Sequence, residues 1–190
     1  GEKIAPGFFA WIIPINKQGT KARIGLCIKR DSPDKPINYL SNFLKNKQTK
    51  NFLENAEVTA RVGGVIPLGC LKKTYDSNIM IVGDAAAQVK PVSGGGIYTG
   101  LLSAKYCSQT ALDALNKDNC KSEILGNYQK LWNDDIGGEI KLGMRFRKIY
   151  KNLNDKQLDK IIKKFQKPKI VETITKYGDI DYPSKLIKPM

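Results

Sequence analysis

Residues 8–15 (FFAWIIPI) are apolar at almost every position, whereas residues 21–30 (KARIGLCIKR) alternate. The pair, separated by Asn16 to Thr20, predicts two strands joined in a hairpin. In the second strand Ala22, Ile24, Leu26 and Ile28 share one face, and Lys21, Arg23 and Lys29 fall on the other. The first is apolar on both faces: Phe8, Ala10 and Ile12 point one way, Phe9, Trp11 and Ile13 the other. Such a strand is expected to be covered on both sides, by the core on one and by a second layer or an apolar pocket on the other. Within residues 36–53, Ile37, Leu40, Phe43 and Leu44 recur at helical spacing. Residues 58–67 return to strand character. Residues 79–82 (IMIV) are wholly apolar and end in Gly83-Asp84, the pattern of a buried strand in a parallel sheet. Residues 96–115 predict a helix with Ile97, Leu101, Ala104 and Cys107 or Ser108 along its stripe. Residues 122–150 and 155–165 predict further helices, with Gly137-Gly138 breaking the first. No element is assigned beyond Lys167.

The order is therefore sheet, then one isolated strand–loop–helix, then a helical region. A single such unit cannot make a parallel sheet by itself, so its neighbours are expected from elsewhere and the chain to be part of something larger.

Composition narrows the classes. With 190 residues, 41% of them hydrophobic, the chain suffices for one good core or two small ones. The apolar stretches from Gly7 to Ile15 and from Ile79 to Val89 fall short of the roughly 20 residues that a membrane-spanning helix needs. No signal peptide is evident, so a cytoplasmic location is expected. Cys27, Cys70, Cys107 and Cys120 form no CxxC pair and there is no histidine. No metal site is expected, a Ser-His-Asp or Cys-His triad is excluded within these residues, and the thiols should be free. The net charge of +14 is spread evenly, with 15 basic against 8 acidic residues up to Asn116 and 17 against 10 after it. The cations are nearly all lysine. This reads first as a solvated surface and second as peripheral contact with an anionic membrane. A nucleic-acid-binding module would want arginine and aromatic residues clustered on one face; five scattered arginines do not provide that, and no nucleic-acid partner is expected.

The segment most informative about chemistry is IMIVGDAAAQVKPVSGGGI, Ile79 to Ile97. It delivers Asp84 at the carboxyl end of a strand, where open α/β sheets place ligands. A short loop with Pro91 follows, then Ser93 as a candidate helix cap, then Gly94, Gly95 and Gly96. Each glycine costs up to about 1 kcal/mol relative to alanine inside a helix. Three together suit a ligand that approaches the backbone closely. Free N–H groups at a helix start favour an anionic or oxygen-rich one.

This segment resembles the second FAD-binding motif of the para-hydroxybenzoate hydroxylase-like flavoproteins. Carried over by position, the resemblance implies that Asp84, after Gly83, takes a ribitol hydroxyl of FAD. It places Gly96 and Ile97 against the pyrimidine end of the flavin ring, with Gly95 and Pro91 beside them. A narrower resemblance, to the archaeal geranylgeranyl reductases, lies in PGFFAWIIP (Pro6 to Pro14) and GGVIPLGCLKKTYDSNIMIVGDAA (Gly63 to Ala86). Their substrate-cavity motif is matched at Trp11, Pro14 and Gly25, while Phe9 stands for its tyrosine, Ile13 for its phenylalanine and Cys27 for its final glycine. Phe9, Trp11, Ile13, Pro14 and Gly25 are the implied substrate-binding residues.

The resemblance implies an α+β fragment of a larger two-domain flavoprotein whose GxGxxG half is absent. Residues 1–78 would be a segment of the antiparallel substrate-binding sheet. Residues 79–116 would be one strand–loop–helix of a Rossmann-like FAD domain, and 117–190 a helical C-terminal region. The implied activity is FAD-dependent reduction of C=C bonds in the geranylgeranyl chains of an isoprenoid glycerophospholipid, with the isolated fragment inactive. The electron donor and catalytic residues are unassigned. A flavin monooxygenase or halogenase on the same scaffold is the alternative.

Overall fold

The computed structural model describes residues 1–187. They fall into two compact units, Gly1–Gly63 with Ile149–Lys164, and Gly64–Lys148 with the residues from Phe165 onward. This grouping differs from the three sequence segments, because helical residues near 150–164 join the hairpin unit while residues 64–78 join the glycine loop.

The first unit is built on the expected hairpin. Strand β1 (Ala10–Pro14) pairs antiparallel with β2 (Ala22–Leu26), with Trp11 opposite Gly25 and Ile12 opposite Ile24. Its turn is locally determined. Asn16 Oδ1 accepts from the Lys21 N–H at 3.1 Å, its Nδ2 donates to Thr20 Oγ1 at 2.7 Å, and Gly19 supplies the positive φ of +68°. Helix α1 (Pro36–Lys45) opens on proline, whose fixed φ suits a first turn. The helix expected to continue to residue 53 instead stops there. Asn46, in an extended conformation, caps the single turn α2 (Lys47–Lys50) by accepting from the Gln48 N–H. Ala5 and Phe8 are buried, and the Tyr150 hydroxyl donates to the Gly7 carbonyl at 2.9 Å. Cover on both faces of the first strand is not seen. Phe9 is 42% exposed and Ile13 52%, because β1 and β2 form a two-stranded sheet on their own.

The second unit, and the residues leading into it, depart more from expectation. Residues 58–67, which run from the first unit into the second, form no strand; Val62, in the first, is 100% exposed. With Gly63 and Gly64 open to solvent and no partner strand among the described residues, their β-propensity has nothing to pair with. The buried parallel strand at Ile79–Val82 is also corrected. Strand β3 (Tyr75–Asp76) pairs antiparallel with β4 (Ile79–Met80) in a two-residue ladder turned at Asn78 (φ +62°), and Ile79 is exposed.

Helix α3 (Ile97–Asn116) forms as expected but buries a different face. Thr99, Ser103, Thr110 and Ala114 point inward, while Ile97 is 83% and Leu101 69% exposed. Small side chains line the inward face where α3 packs against helix α4 (Ser122–Trp132). The break expected at Gly137-Gly138 is a π-helical turn, Asn133–Gly137, that runs without interruption into helix α5 (Gly138–Tyr150). It has a packing consequence. Tyr128, Trp132, Ile136 and Ile140 form the core cluster at steps of four. On a pure α-helix of 3.6 residues per turn such a run drifts off the core face, and the wider π turn takes up the drift. Helices α6 (Asp155–Phe165) and α7 (Pro168–Tyr177) follow, α7 in the part of the expected helical C-terminal region for which no element bounds were given.

Candidate functional site

In the second unit, the polypeptide after β4 turns at Gly83, whose φ of +67° lies in the left-handed region that glycine adopts without strain, and makes one 3-10 turn, Gly83–Ala86. The following loop is held from within. Gln88 is fully buried and its side chain accepts from the Gly83 N–H at 2.8 Å. Its Nε2 donates to the Tyr128 hydroxyl at 2.9 Å, and that hydroxyl donates to the Ile81 carbonyl at 2.8 Å. Thr99 Oγ1 donates to the Gln88 carbonyl at 2.5 Å. Burial pushes the Tyr128 phenol up to about 12, so it remains a neutral donor and acceptor. A network satisfied at each of these members specifies one loop conformation.

The sequence-predicted cofactor residues converge around this loop. A Cβ added to Gly96 would lie 2.6 Å from Asp84 Oδ1 and 3.5 Å from Val89 Cγ2, so the bare glycine is what admits the carboxylate. The Asp84 side chain is exposed and makes no hydrogen bond or ion pair among the described residues. It lies at the start of the 20-residue α3, where Gly96 offers no side-chain cap and Ile97 is open. Ser93 does not cap α3; its hydroxyl accepts from the Gly95 N–H at 3.3 Å. Gly83 and Gly100 also approach closely, a Cβ on Gly100 meeting Gly83 Cα at 3.7 Å. Pro91 is buried, and α5 packs on it at Gly143, where a Cβ would come within 2.9 Å of the proline ring. An unpartnered acceptor beside unsatisfied helix N–H donors is a cradle for a ligand that brings both hydroxyls and anionic or carbonyl oxygens.

Sequence reasoning missed a second set of residues here. The Tyr98 and Tyr182 hydroxyls are 3.0 Å apart, Tyr182 donates to Asp135 Oδ1 at 2.8 Å, and Tyr106 donates to Asp135 Oδ2 at 2.6 Å. The bond from Tyr98, then burial and Asp135, hold the Tyr182 phenol well above the usual tyrosine range. The bond to Asp135 pushes Tyr106 up to about 12. The segment carrying Tyr182 is fastened by Lys90 to Asp181 at 2.6 Å and by Ser184 to Glu139. No local pattern announces these pairs, which are 29 to 91 residues apart.

In the first unit, the sequence-predicted substrate residues share the hairpin. Phe9 and Trp11 are in ring contact at 5.8 Å, Phe9 meets Phe8 at 5.2 Å, and a Cβ on Gly25 would overlap the Trp11 indole. Ile13 continues the same face, and Pro14 ends β1 in solvent.

Comparison with known proteins gives the class first. The chain superposes on a geranylgeranyl bacteriochlorophyll reductase-like protein of Thermoplasma acidophilum with a TM-score of 0.71, over 97% of this chain and 47% of that one. At 21% identity this likeness establishes the fold. No protein-family model matches. The sequence relatives are more specific. A Methanothermobacter thermautotrophicus digeranylgeranylglycerophospholipid reductase is 31% identical across 98% of this chain and 48% of its own length. The Methanocaldococcus jannaschii protein of that name is 33% identical across 84% of this chain and 40% of its own length. An uncharacterised protein of the same organism is 39% identical across 97% of this chain and 46% of its own. The chain belongs to the geranylgeranyl reductase family. It spans about half the length of the curated relatives it matches.

Proposed function

We propose that this chain carries the substrate hairpin and the ribitol-to-ring half of the flavin site of an FAD-dependent reductase acting on the geranylgeranyl chains of an isoprenoid glycerophospholipid. The observation that carries the reading is the Asp84 carboxylate, without a partner and seated against Gly96 at the uncapped start of α3. Names of the relatives support the reaction class. In this reading Asp84 accepts a hydrogen bond from a ribitol hydroxyl. Gly96 and Ile97, with Gly95 beside them, present backbone N–H groups to the ring's oxygen-bearing edge, where the dipole of α3 favours the negative charge of the reduced state. Gly83 and Pro91 hold the loop in that shape. When bound, reduced FAD would supply a hydride to one carbon of a C=C bond, and a proton from an unassigned donor would complete the other carbon. The Phe9, Trp11, Ile13 face, with Pro14 and Gly25, gives the hydrocarbon an apolar wall, worth about 0.8 kcal/mol for each methylene buried. The electron donor is a separate partner, unidentified.

Absorbance of the intact protein tests this directly. It should carry flavin bands, and Asp84→Ala should fold normally yet lose FAD on gel filtration, with affinity down about ten- to a hundredfold for one charge-assisted hydrogen bond. Stoichiometric FAD in the variant after dilution would refute the role of Asp84.

Peripheral contact with anionic membrane is part of the same proposal. Among the described residues no helix is long and apolar enough to cross a membrane. Helix α6 instead sets Leu158, Ile161, Ile162 and Phe165 among Lys156, Lys160, Lys163 and Lys164, with no residue buried, a basic amphipathic pattern. Sedimentation with anionic vesicles should fall steeply as salt rises to physiological strength; pelleting unaffected by salt would exclude this contact.

A further inference from the structure

Gly96 is bare where the Asp84 carboxylate comes in, and its neighbour Gly95 is bare for a cation. A Cβ on Gly95 would lie 3.0 Å from Lys90 Cε and 3.6 Å from Lys90 Nζ. Main-chain bonds fold the two residues together. The Lys90 N–H donates to the Gly95 carbonyl at 3.0 Å, and the Lys90 carbonyl accepts from the Gly94 N–H at 2.8 Å, with Gly94 in the left-handed region at φ +71°. The lysine stem is thereby laid along the glycine run, with its ammonium beside the start of α3. Adjacent glycines carry opposite charges: an unpartnered carboxylate against Gly96 and a largely buried ammonium against Gly95.

That ammonium is paired with Asp181 at 2.6 Å, and the two side chains are only 20% and 23% exposed. Asp181 arrives from 91 residues away, on the segment that follows α7. The segment is anchored without Lys90. The Asp179 carboxylate accepts from the N–H groups of Asp181 at 2.9 Å and Tyr182 at 3.1 Å. The Tyr182 hydroxyl donates to Asp135, and the Ser184 N–H and hydroxyl donate to Glu139. An ion pair so far removed from water adds little stability, because desolvation offsets its attraction. What the pair does set is local charge. Together Lys90 and Asp181 present a neutral dipole to the glycine run; either alone would present a full charge, at a place where water screens it poorly.

We infer that Lys90 is a further residue of the proposed flavin site, its ammonium favouring the reduced ring, and that Asp181 is a positioning residue that acts through Lys90 to hold this preference down. The inference rests on the flavin reading of the Asp84 cradle and adds which charges balance the oxidised against the reduced cofactor. Taking up two electrons and one proton turns the neutral ring into a monoanion. A cation at the glycine run stabilises that state selectively, and a carboxylate opposes it. The dipole of α3 supplies only about half a charge, so the Lys90–Asp181 pair has the larger lever.

Titration of the intact protein with FAD in both redox states tests it, by ultrafiltration, aerobically with the oxidised cofactor and anaerobically with the dithionite-reduced one. The quantity read is the ratio of reduced to oxidised affinity. Asp181→Asn keeps an acceptor for Lys90 but removes the carboxylate charge. It should raise the ratio about tenfold or more, which for a two-electron couple is about 30 mV. Lys90→Met keeps the stem over Gly95 and leaves Asp181 uncompensated, so it should lower the ratio by about the same factor. The double variant should return to within about threefold of the wild type. Ser184→Ala, which cuts a neutral tie of the same segment, should leave the ratio where it was. Single-variant shifts of the same sign, or none, would overturn the inference. So would a double variant far from the wild type, or a Ser184→Ala shift as large as that of Asp181→Asn, since anchorage and not charge would then set the ratio. A wild type that binds FAD in neither state removes the flavin reading and the inference together. One that binds FAD, loses it in Asp84→Ala and keeps its ratio in the Lys90 and Asp181 variants removes this inference alone. Should Asp181→Asn melt early, Lys90→Met decides by itself and must lower the ratio.

Discussion

The hairpin of the first unit and the glycine loop of the second reach their shapes by opposite routes. The hairpin is made by neighbours: Asn16 closes the turn on Thr20 and Lys21, and the strands on either side have one another to pair with. Its aromatic face is left open. The glycine loop is made by strangers. Gln88 and Tyr128 are 40 residues apart, both fully buried, and between them they satisfy the Gly83 N–H and the Ile81 carbonyl. A locally closed turn tolerates loss of any one contact, whereas a buried polar network with no water to replace a lost partner does not.

The strongest way to break this comparison is to cut each region once. Gln88→Leu should destabilise the protein by about 2–4 kcal/mol in urea unfolding, because it leaves the half-buried Gly83 N–H without its partner and removes the donor that the buried Tyr128 hydroxyl accepts from. Asn16→Ala, in an exposed turn, should cost about 1 kcal/mol or less. Similar losses from both would show that the loop is not held by its network.

Next in size is Gly25→Ala. A methyl there overlaps the Trp11 ring, so the indole must leave its place across β2, at about 1–3 kcal/mol for overpacking. Near-ultraviolet circular dichroism should report the moved tryptophan; an unchanged spectrum would mean that the ring does not rest on Gly25. By contrast, Phe9→Ser and Ile13→Ser should alter stability by no more than about 0.5 kcal/mol, since both side chains are already exposed.

The smallest expected effect is a pH dependence at β3. The Asp76 carboxyl is held down to about 2, first by the Ser122 hydroxyl, then by the Ser77 N–H and Lys73. A folded value depressed below the unfolded one near 3.9 gives a contribution that is complete above about pH 4 and lost as pH falls toward 2. Ser122→Ala should raise the Asp76 titration midpoint, read by carboxyl-carbon NMR. A midpoint that stays put would assign the shift to Lys73 and the backbone alone.

Much was legible locally. The alternation at residues 21–30 and the turn at Asn16 predicted the hairpin, and GD followed by three glycines marked Asp84 and Gly96 as candidates for one ligand, which the fold sets side by side at a helix start. Both depend on contacts within about a dozen residues. The face of α3 was not legible: its apolar residues Ile97 and Leu101 read as the buried stripe, yet Thr99 and Ser103 are buried. Nor were the strands at 58–67 and 79–82, whose apolar content was read without knowing what lay beside them.

What the sequence determined by itself, then, is each turn, cap and glycine contact that short-range geometry can enforce: Asn16, Gly19, Gly83 and Gly96. Tertiary structure decided which helix face turns inward, where Gln88 finds its partner, that Tyr98 and Tyr182 meet over Asp135, and that Asp181 pairs with Lys90. The physical reason is the same throughout. A turn is selected by its own dihedral angles and adjacent hydrogen bonds. Burial, buried polar pairing and shared electrostatic fields exist only once distant segments arrive at the same place.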